Sequence, residues 1–275
     1  MKPNFTFILF LTSYLNYLHF HQMRKISILF LCILIYCNKN VKAQTYQPKP
    51  LSELIKTSES AWTSYLELWI KESTNFVEVL PKDSLQADSI LYKSQVATRS
   101  TMGSIVYETG GILIGHGWIR ILGSGSERMK RNLMDWNVGK TYTNFGDQLP
   151  YLLIADDILG GFFAVNAGGL DSVGLGMVYY FAPDLLIWSN LNLSYSEFIQ
   201  FCFFGDIKNF YTNLYWIDWE DEIKTISGDQ GIHCFPYLCT IEGQDINKVS
   251  RGIVPIEELW ILHNALRTTL VTGDN

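Results

Sequence analysis

Tyr151-Leu152-Leu153-Ile154-Ala155-Asp156-Asp157-Ile158-Leu159-Gly160-Gly161-Phe162-Phe163-Ala164-Val165-Asn166 is the stretch on which the fold turns. Tyr151–Ala155 and Gly161–Asn166 are apolar, strand-like runs, and Asp156-Asp157 and Gly160-Gly161 lie between them. Asp bonds its own backbone in turns and Gly supplies positive φ, so the pair reads as neighbouring strands around a turn. Downstream, strand signals return at Met177–Phe181 and Leu186–Trp188, separated by Ala167-Gly168-Gly169 and Ala182-Pro183-Asp184. Upstream, Ser104–Glu108 and Ile112–Leu122 alternate or run apolar on either side of Gly110-Gly111, which predicts a hairpin.

Helical patterns flank this strand run. Ser52 and Glu53 open a brief helix, and Ser58 caps a longer one with Trp62, Tyr65, Leu66, Trp69 and Ile70 on one face. Asn75–Pro81 breaks it, and Asp83 caps a third helix through Ile90 and Leu91 to about Ala97. Glu127–Gly146, with Arg128, Lys130 and Arg131, reads as a long surface loop. Beyond the strands, Ser194 caps a helix through Phe198 and Phe201 to Gly205, a short helix covers 217–226, and Pro255 starts a final helix. Helices, strands, then helices predict an α+β fold, a single domain over 51–275 with a mostly antiparallel sheet flanked by N-terminal and C-terminal helices.

Residues 23–43 have the form of a cleavable signal peptide. Arg24 and Lys25 give a positive start, Ile26–Tyr36 is an apolar run too short to cross a bilayer, and Val41-Lys42-Ala43 precedes Gln44. The chain is therefore expected to be exported, periplasmic or extracellular, with no membrane span in its mature part and a linker over 44–50. Residues 1–22 carry a second apolar run ahead of the internal Met23, and are read as an over-long gene start.

Residues 1–43 hold five of the 21 Lys and Arg (Lys2, Arg24, Lys25, Lys39, Lys42) and none of the 27 Asp and Glu, so the mature chain is strongly acidic. Such a chain repels phosphate backbones, and no basic stripe offsets that, so nucleic acid is not an expected partner. Cys202, Cys234 and Cys239 remain after cleavage. Cys202, inside Phe201-Cys202-Phe203-Phe204, reads as a small buried hydrophobe. Cys234 and Cys239 could bridge only across a turn, which Pro236 permits. His233 beside Cys234 lacks a recognisable ligand set, so neither a metal nor a cofactor is expected.

Catalytic signatures are missing: no His-Glu-x-x-His, no Gly-x-Ser-x-Gly and no phosphate-binding glycine loop occurs. The candidate site residues are His116, between Gly115 and Gly117, and Asp156 and Asp157, at a strand end. A hydrolase would need His116 and one of these carboxylates within hydrogen-bond reach. Against that, neighbouring residues of a strand face opposite sides, and the two Asp also suit plain turn chemistry. A non-enzymatic protein-binding domain is the favoured reading. It would use aromatic anchors, for which Trp118 and Tyr180 stand beside glycine-rich turns.

With Val178-Tyr179-Tyr180-Phe181-Ala182-Pro183-Asp184 and Leu193-Ser194-Tyr195-Ser196-Glu197-Phe198, the 154–166 stretch resembles a bacterial domain-of-unknown-function family, number 2625. Val106-Tyr107-Glu108-Thr109-Gly110-Gly111, His116-Gly117-Trp118, Gly228-Asp229-Gln230-Gly231 and Pro255-Ile256-Glu257-Glu258-Leu259-Trp260 extend the resemblance over nearly the whole mature chain, without implying an activity. The 150–205 region is also similar to the SUKH superfamily of immunity and scaffold domains. That likeness implies a surface for an unknown protein partner in the envelope, although such immunity domains are usually cytosolic.

Cleavage between Ala43 and Gln44 is directly measurable. The exported protein is expected to begin at Gln44 by intact mass, and a start at any other residue contradicts the assignment.

Overall fold

In a computed structural model the described residues are 47–272, and the chain from Pro48 onward forms one compact unit. Residues 1–22, the signal-like segment and the Ala43–Gln44 junction lie outside the described residues. The fold is α+β. Its centre is a seven-stranded antiparallel meander in chain order. The strands are β1 (Val77–Leu80), β2 (Gly111–Ile114), β3 (Ile119–Leu122), β4 (Tyr151–Asp157), β5 (Phe162–Asn166), β6 (Met177–Phe181) and β7 (Trp188–Ser194). A separate antiparallel pair joins β8 (Gln230–Phe235) to β9 (Ser250–Pro255). The helices are α1 (Leu51–Leu54), α2 (Glu67–Glu72), α3 (Ser84–Ser94), α4 (Thr101–Glu108), α5 (Leu133–Asn137), α6 (Tyr195–Phe204), α7 (Ile207–Phe210), α8 (Trp219–Ile223) and α9 (Ile256–Thr272).

Strand alternation shows how the layers stack. Phe163 stacks on Tyr180 with ring centroids 4.6 Å apart and lies 4.8 Å from Phe198 of α6. Its neighbour Phe162 points to the other side and meets Trp260 of α9 edge-on at 4.9 Å. One face of the sheet is thus covered by α6 and the other by α9. The central strands are consequently apolar on both faces, and β2 and β3 are buried along their whole length.

Several segments differ from the sequence reading, each for a local reason. Ser104–Glu108 is not a strand but the body of α4. The Ser100 hydroxyl accepts the Gly103 N–H to cap this helix, and the Ser104 hydroxyl donates to the Thr98 carbonyl. A Cβ on Gly103 would sit 2.1 Å from the Ala97 carbonyl oxygen, so glycine permits this close approach. The hairpin is instead β2–β3, joined by a tight Gly115–Gly117 turn. Asn75–Pro81 contains the edge strand β1 rather than a plain break. Ser58 sits in a short 3-10 turn, and a π-helical segment, Trp62–Leu66, leads into α2. Between the short helix and α9 lie the strands β8 and β9, and Pro255 ends β9 immediately before α9 rather than starting the helix. The supposed surface loop 127–146 holds α5, and Met129, Leu133, Met134 and Trp136 from it enter the core.

Helix α6 forms as its sequence predicts. The Ser194 hydroxyl accepts the Glu197 N–H while the Glu197 carboxylate accepts the Ser194 N–H, a reciprocal capping box. Phe198, Ile199, Cys202 and Phe203 are buried against the sheet, and Phe201 packs on Phe210 at 5.4 Å. Among the described residues, no helix is long and apolar enough to cross a membrane.

Because Phe198 lies wholly inside this packing, Phe198→Ala leaves a cavity. A loss of about 3–5 kcal/mol in denaturant unfolding is expected. Unchanged unfolding would show that α6 is not packed as described.

Candidate functional site

The two carboxylates singled out by sequence lie at the end of β4, and the strand sends them to opposite faces. Both are 0% exposed. Asp156 is clasped by two guanidinium groups. Arg120, its register partner on β3, donates Nε–H to Oδ1 at 2.6 Å, and Arg131 donates Nη1–H to Oδ2 at 2.5 Å. Each arginine also reaches a backbone carbonyl at the start of β8 or just before it, Arg120 at Gln230 (2.6 Å) and Arg131 at Gly228 (2.6 Å). Asp229 accepts the backbone N–H groups of Lys130 and Arg131, closing the network. Burial pulls the Arg120 guanidinium below its usual value, and the neighbouring Asp156 opposes that pull.

Asp157 faces the α6 side and accepts from four donors. These are the Tyr180 hydroxyl at 2.7 Å, the Tyr211 hydroxyl at 3.2 Å, and the N–H groups of Leu159 and Gly161 at 2.9 Å each. Burial raises the carboxyl above its ordinary range, and the Tyr180 and backbone hydrogen bonds counteract it. Burial, then the Asp157 charge, pushes Tyr180 and Tyr211 well above the usual phenol value. These hydroxyls act as fixed donors. A Cβ on Gly161 would stand 2.1 Å from Asp157 Oδ2 and 2.5 Å from the Tyr180 oxygen, so the network closes only around glycine.

Among the sequence candidates, Asp157 and Tyr180 come together, and Trp118 joins them through Tyr211, whose ring it meets at 5.4 Å. Trp118 and Tyr180 were expected on an exposed contact surface. They are 1% and 7% exposed, because helices and loops cover both faces of the sheet. Asp157 does serve the turn, through Leu159 and Gly161, whereas Asp156 does not and is an ion-pair centre instead. His116 joins neither carboxylate. It stands half-exposed in the β2–β3 turn at φ 59° and stacks on Phe76 at 4.1 Å. Cys202, Cys234 and Cys239 are all free thiols. Among the described residues, no group of three or more His, Cys, Asp or Glu could hold a metal ion.

The open site lies elsewhere, and its residues carry no motif. A cleft of about 690 Å³ runs between the turn at Asp184-Leu185, the segment Thr212–Tyr215 and the loop from Leu238 to Asn247. The first wall ends against the buried Leu186, held at φ 56°, a left-handed conformation that is strained for leucine. The second begins next to Tyr211 and includes Asn213 at φ 72°. It is backed by the aromatic cluster, since Tyr215 lies 4.2 Å from Trp118 and 4.6 Å from Trp219. The third is shaped by Thr240, whose hydroxyl accepts the Gly243 N–H, and by Asp245, which accepts the Asn247 N–H. Into the cleft go Thr212, Asn213, Gln244 and Asn247 with the carboxylates of Asp184 and Asp245. Leu185, 59% exposed, stands at its edge as an apolar contact. Burial raises the Cys239 thiol, so it is a weak nucleophile at neutral pH.

The family model described as "Protein of unknown function DUF2625" matches residues 51–259. The chain belongs to the DUF2625 family. A protein of Haemophilus influenzae described as "Uncharacterized protein" is 44% identical over 180 residues, which are 66% of this chain and 78% of that one. The "Putative uncharacterized protein YbfG" of Escherichia coli K12 is 36% identical over 221 residues, 80% of this chain and 98% of its own length. No solved structure matches. Within the DUF2625 match fall both carboxylates, Gly161, Tyr180, Tyr211 and the Gly228–Gly231 turn, so the matched region includes the buried networks as well as the cleft.

Removing one partner of the Asp156 clasp leaves buried guanidinium charge. Asp156→Ala is expected to cost about 3–5 kcal/mol or to prevent folding. Gly161→Ala, which adds a single methyl, is expected to lower the melting temperature clearly. If both proteins melt like the wild type, the two networks do not hold the fold.

Proposed function

We propose that this chain is an exported, non-enzymatic protein-binding domain, in the sense implied by the SUKH-like region, and that it takes its partner at the cleft. The supporting observation is the state of the carboxylates. A hydrolytic reading needs Asp156 or Asp157 free to exchange a proton with substrate and with His116. Both are fully buried with their oxygens engaged, and His116 stacks on Phe76 instead. The cleft offers amides, hydroxyls and carboxylates beside the exposed Leu185, a composition suited to a polypeptide's backbone and side chains. Export rests on residues 23–43, and the acidic mature chain suits an envelope protein partner better than nucleic acid.

The test compares partner capture from the envelope fraction by the wild type and by folded Leu185→Asp, Gln244→Ala and His116→Ala proteins. Capture should fall at least about tenfold in the two cleft variants, each worth about 1.4 kcal/mol or more, and persist in His116→Ala. If instead a hydrolytic activity appears and disappears in a folded His116→Ala protein, the binding reading fails.

A further inference from the structure

A second pocket, distinct from the cleft, lies near the start of the compact unit. It has a volume of about 480 Å³ and is bounded by the segment Lys49–Lys56 and the segment Gln95–Ser100. The two walls are joined by directed bonds. The Lys49 N–H donates to Gln95 Oε1 at 2.6 Å, Gln95 Nε2 donates back to the Lys49 carbonyl, and the Lys56 N–H donates to Thr98 Oγ1 at 2.7 Å. Thr98 in turn donates its N–H to the Leu54 carbonyl, and Leu54 is buried beneath. Gln95 makes its bonds from a left-handed backbone conformation at φ 54°. Strain of this kind persists only where surrounding contacts enforce it, so the pocket wall is held in place.

Lys49, Lys56 and Arg99 line this pocket, with Glu53 as the one carboxylate among its lining residues. Among the described residues, most other cations are engaged by acids: Arg120 and Arg131 by Asp156, Arg128 by Glu78, Lys140 by Glu257. Among the described residues, Lys49, Lys56 and Arg99 have no ion-pair partner. Three cations and one carboxylate leave an excess of two positive charges on a chain that is otherwise strongly acidic. The N-terminal end of α4 borders the pocket through its cap, Ser100, and adds partial positive charge.

We propose that this pocket binds a phosphoryl dianion. A phosphate monoester carries about −1.5 to −2 at neutral pH, which matches the local excess, and an arginine fork with two lysine point charges is the donor set such a group takes. A monocarboxylate would leave one cation uncompensated. The same headgroup can come from a small soluble ester or from an anionic lipid. The inference is independent of the cleft and of the partner it takes.

The experiment uses protein purified from cells that express the full chain, with inorganic phosphate as the probe, by isothermal titration at low salt. Saturable binding is expected, weakened about tenfold in Lys56→Gln and in Arg99→Gln, as for loss of one charge-assisted contact. In Glu53→Gln, where the opposing carboxylate is gone, affinity should rise severalfold. These side chains lie at the surface, so an unchanged melting temperature confirms that each variant folds. Absence of saturable binding at millimolar phosphate, or equal affinity in all variants, overturns the proposal. Co-sedimentation with phosphatidic acid vesicles but not phosphatidylcholine vesicles, competed by phosphate, assigns the headgroup to lipid. Phosphate binding without co-sedimentation assigns it to a soluble ester.

Discussion

A strand sends neighbouring side chains to opposite faces, so two adjacent carboxylates at the end of β4 cannot serve one site. Asp156 and Asp157 use that constraint to tie both coverings of the sheet to a single point. On one face, Asp156 fixes Arg120 and Arg131, which reach carbonyls at the start of β8 or just before it and hold the β8–β9 pair in place. On the other, Asp157 fixes Tyr180 of β6 and Tyr211 just past α7. An isolated buried carboxylate is costly, and paired and fully hydrogen-bonded ones are the arrangement that a folded interior tolerates. The turn that follows must bring its own N–H groups to Asp157 without a Cβ in the way, which is why Gly161 sits where it does.

The cleft depends on the same point. Tyr211, held by Asp157, precedes the Thr212–Tyr215 wall, and Trp118 packs against both Tyr211 and Tyr215. The opposite wall follows β6, whose Tyr180 is the other phenol on Asp157. Two walls of an open site are therefore anchored to one buried carboxylate, while their tips carry the exposed Leu185 and the left-handed Asn213. Rigid support under irregular loops is a common arrangement for binding surfaces. The buried centre thus acts on function through position.

The meander from β4 to β6 and the capped helix α6 were legible because strand alternation, turn residues and a capping box are local signals. Helix α4 was not, since Ile105-Val106-Tyr107 has a strand-like composition and its helical state is set by Ser100 and by packing of Gly103 on Ala97. The 127–146 segment reads as solvated because it is polar and basic. Its Arg131 is instead consumed by an acid far along the chain, which no local pattern announces. Glycine-rich turns beside Trp118 and Tyr180 could not show their exposure, because that depends on whether something covers each face of the sheet, and here both are covered. The cleft had no signal at all: its walls are aperiodic loops from three distant segments.

These placements separate two kinds of residue within one family pattern. The segments that carry the resemblance include Asp156, Asp157, Gly161, Tyr180 and Gly228–Gly231, and all of these build the buried networks. The cleft draws on Thr212, Asn213, Gln244 and Asn247, and apart from Asp184 its lining lies outside those segments. A match to the pattern therefore transmits the frame with much more certainty than it transmits a ligand, since frame and site rest on different side chains. Whether relatives at 36% and 44% identity share the frame is therefore a separate question from which groups they present in the cleft. Comparisons of binding between such proteins are best made loop by loop, at 184–185, 212–215 and 238–247. The buried pair there serves only as the check that the frame is intact.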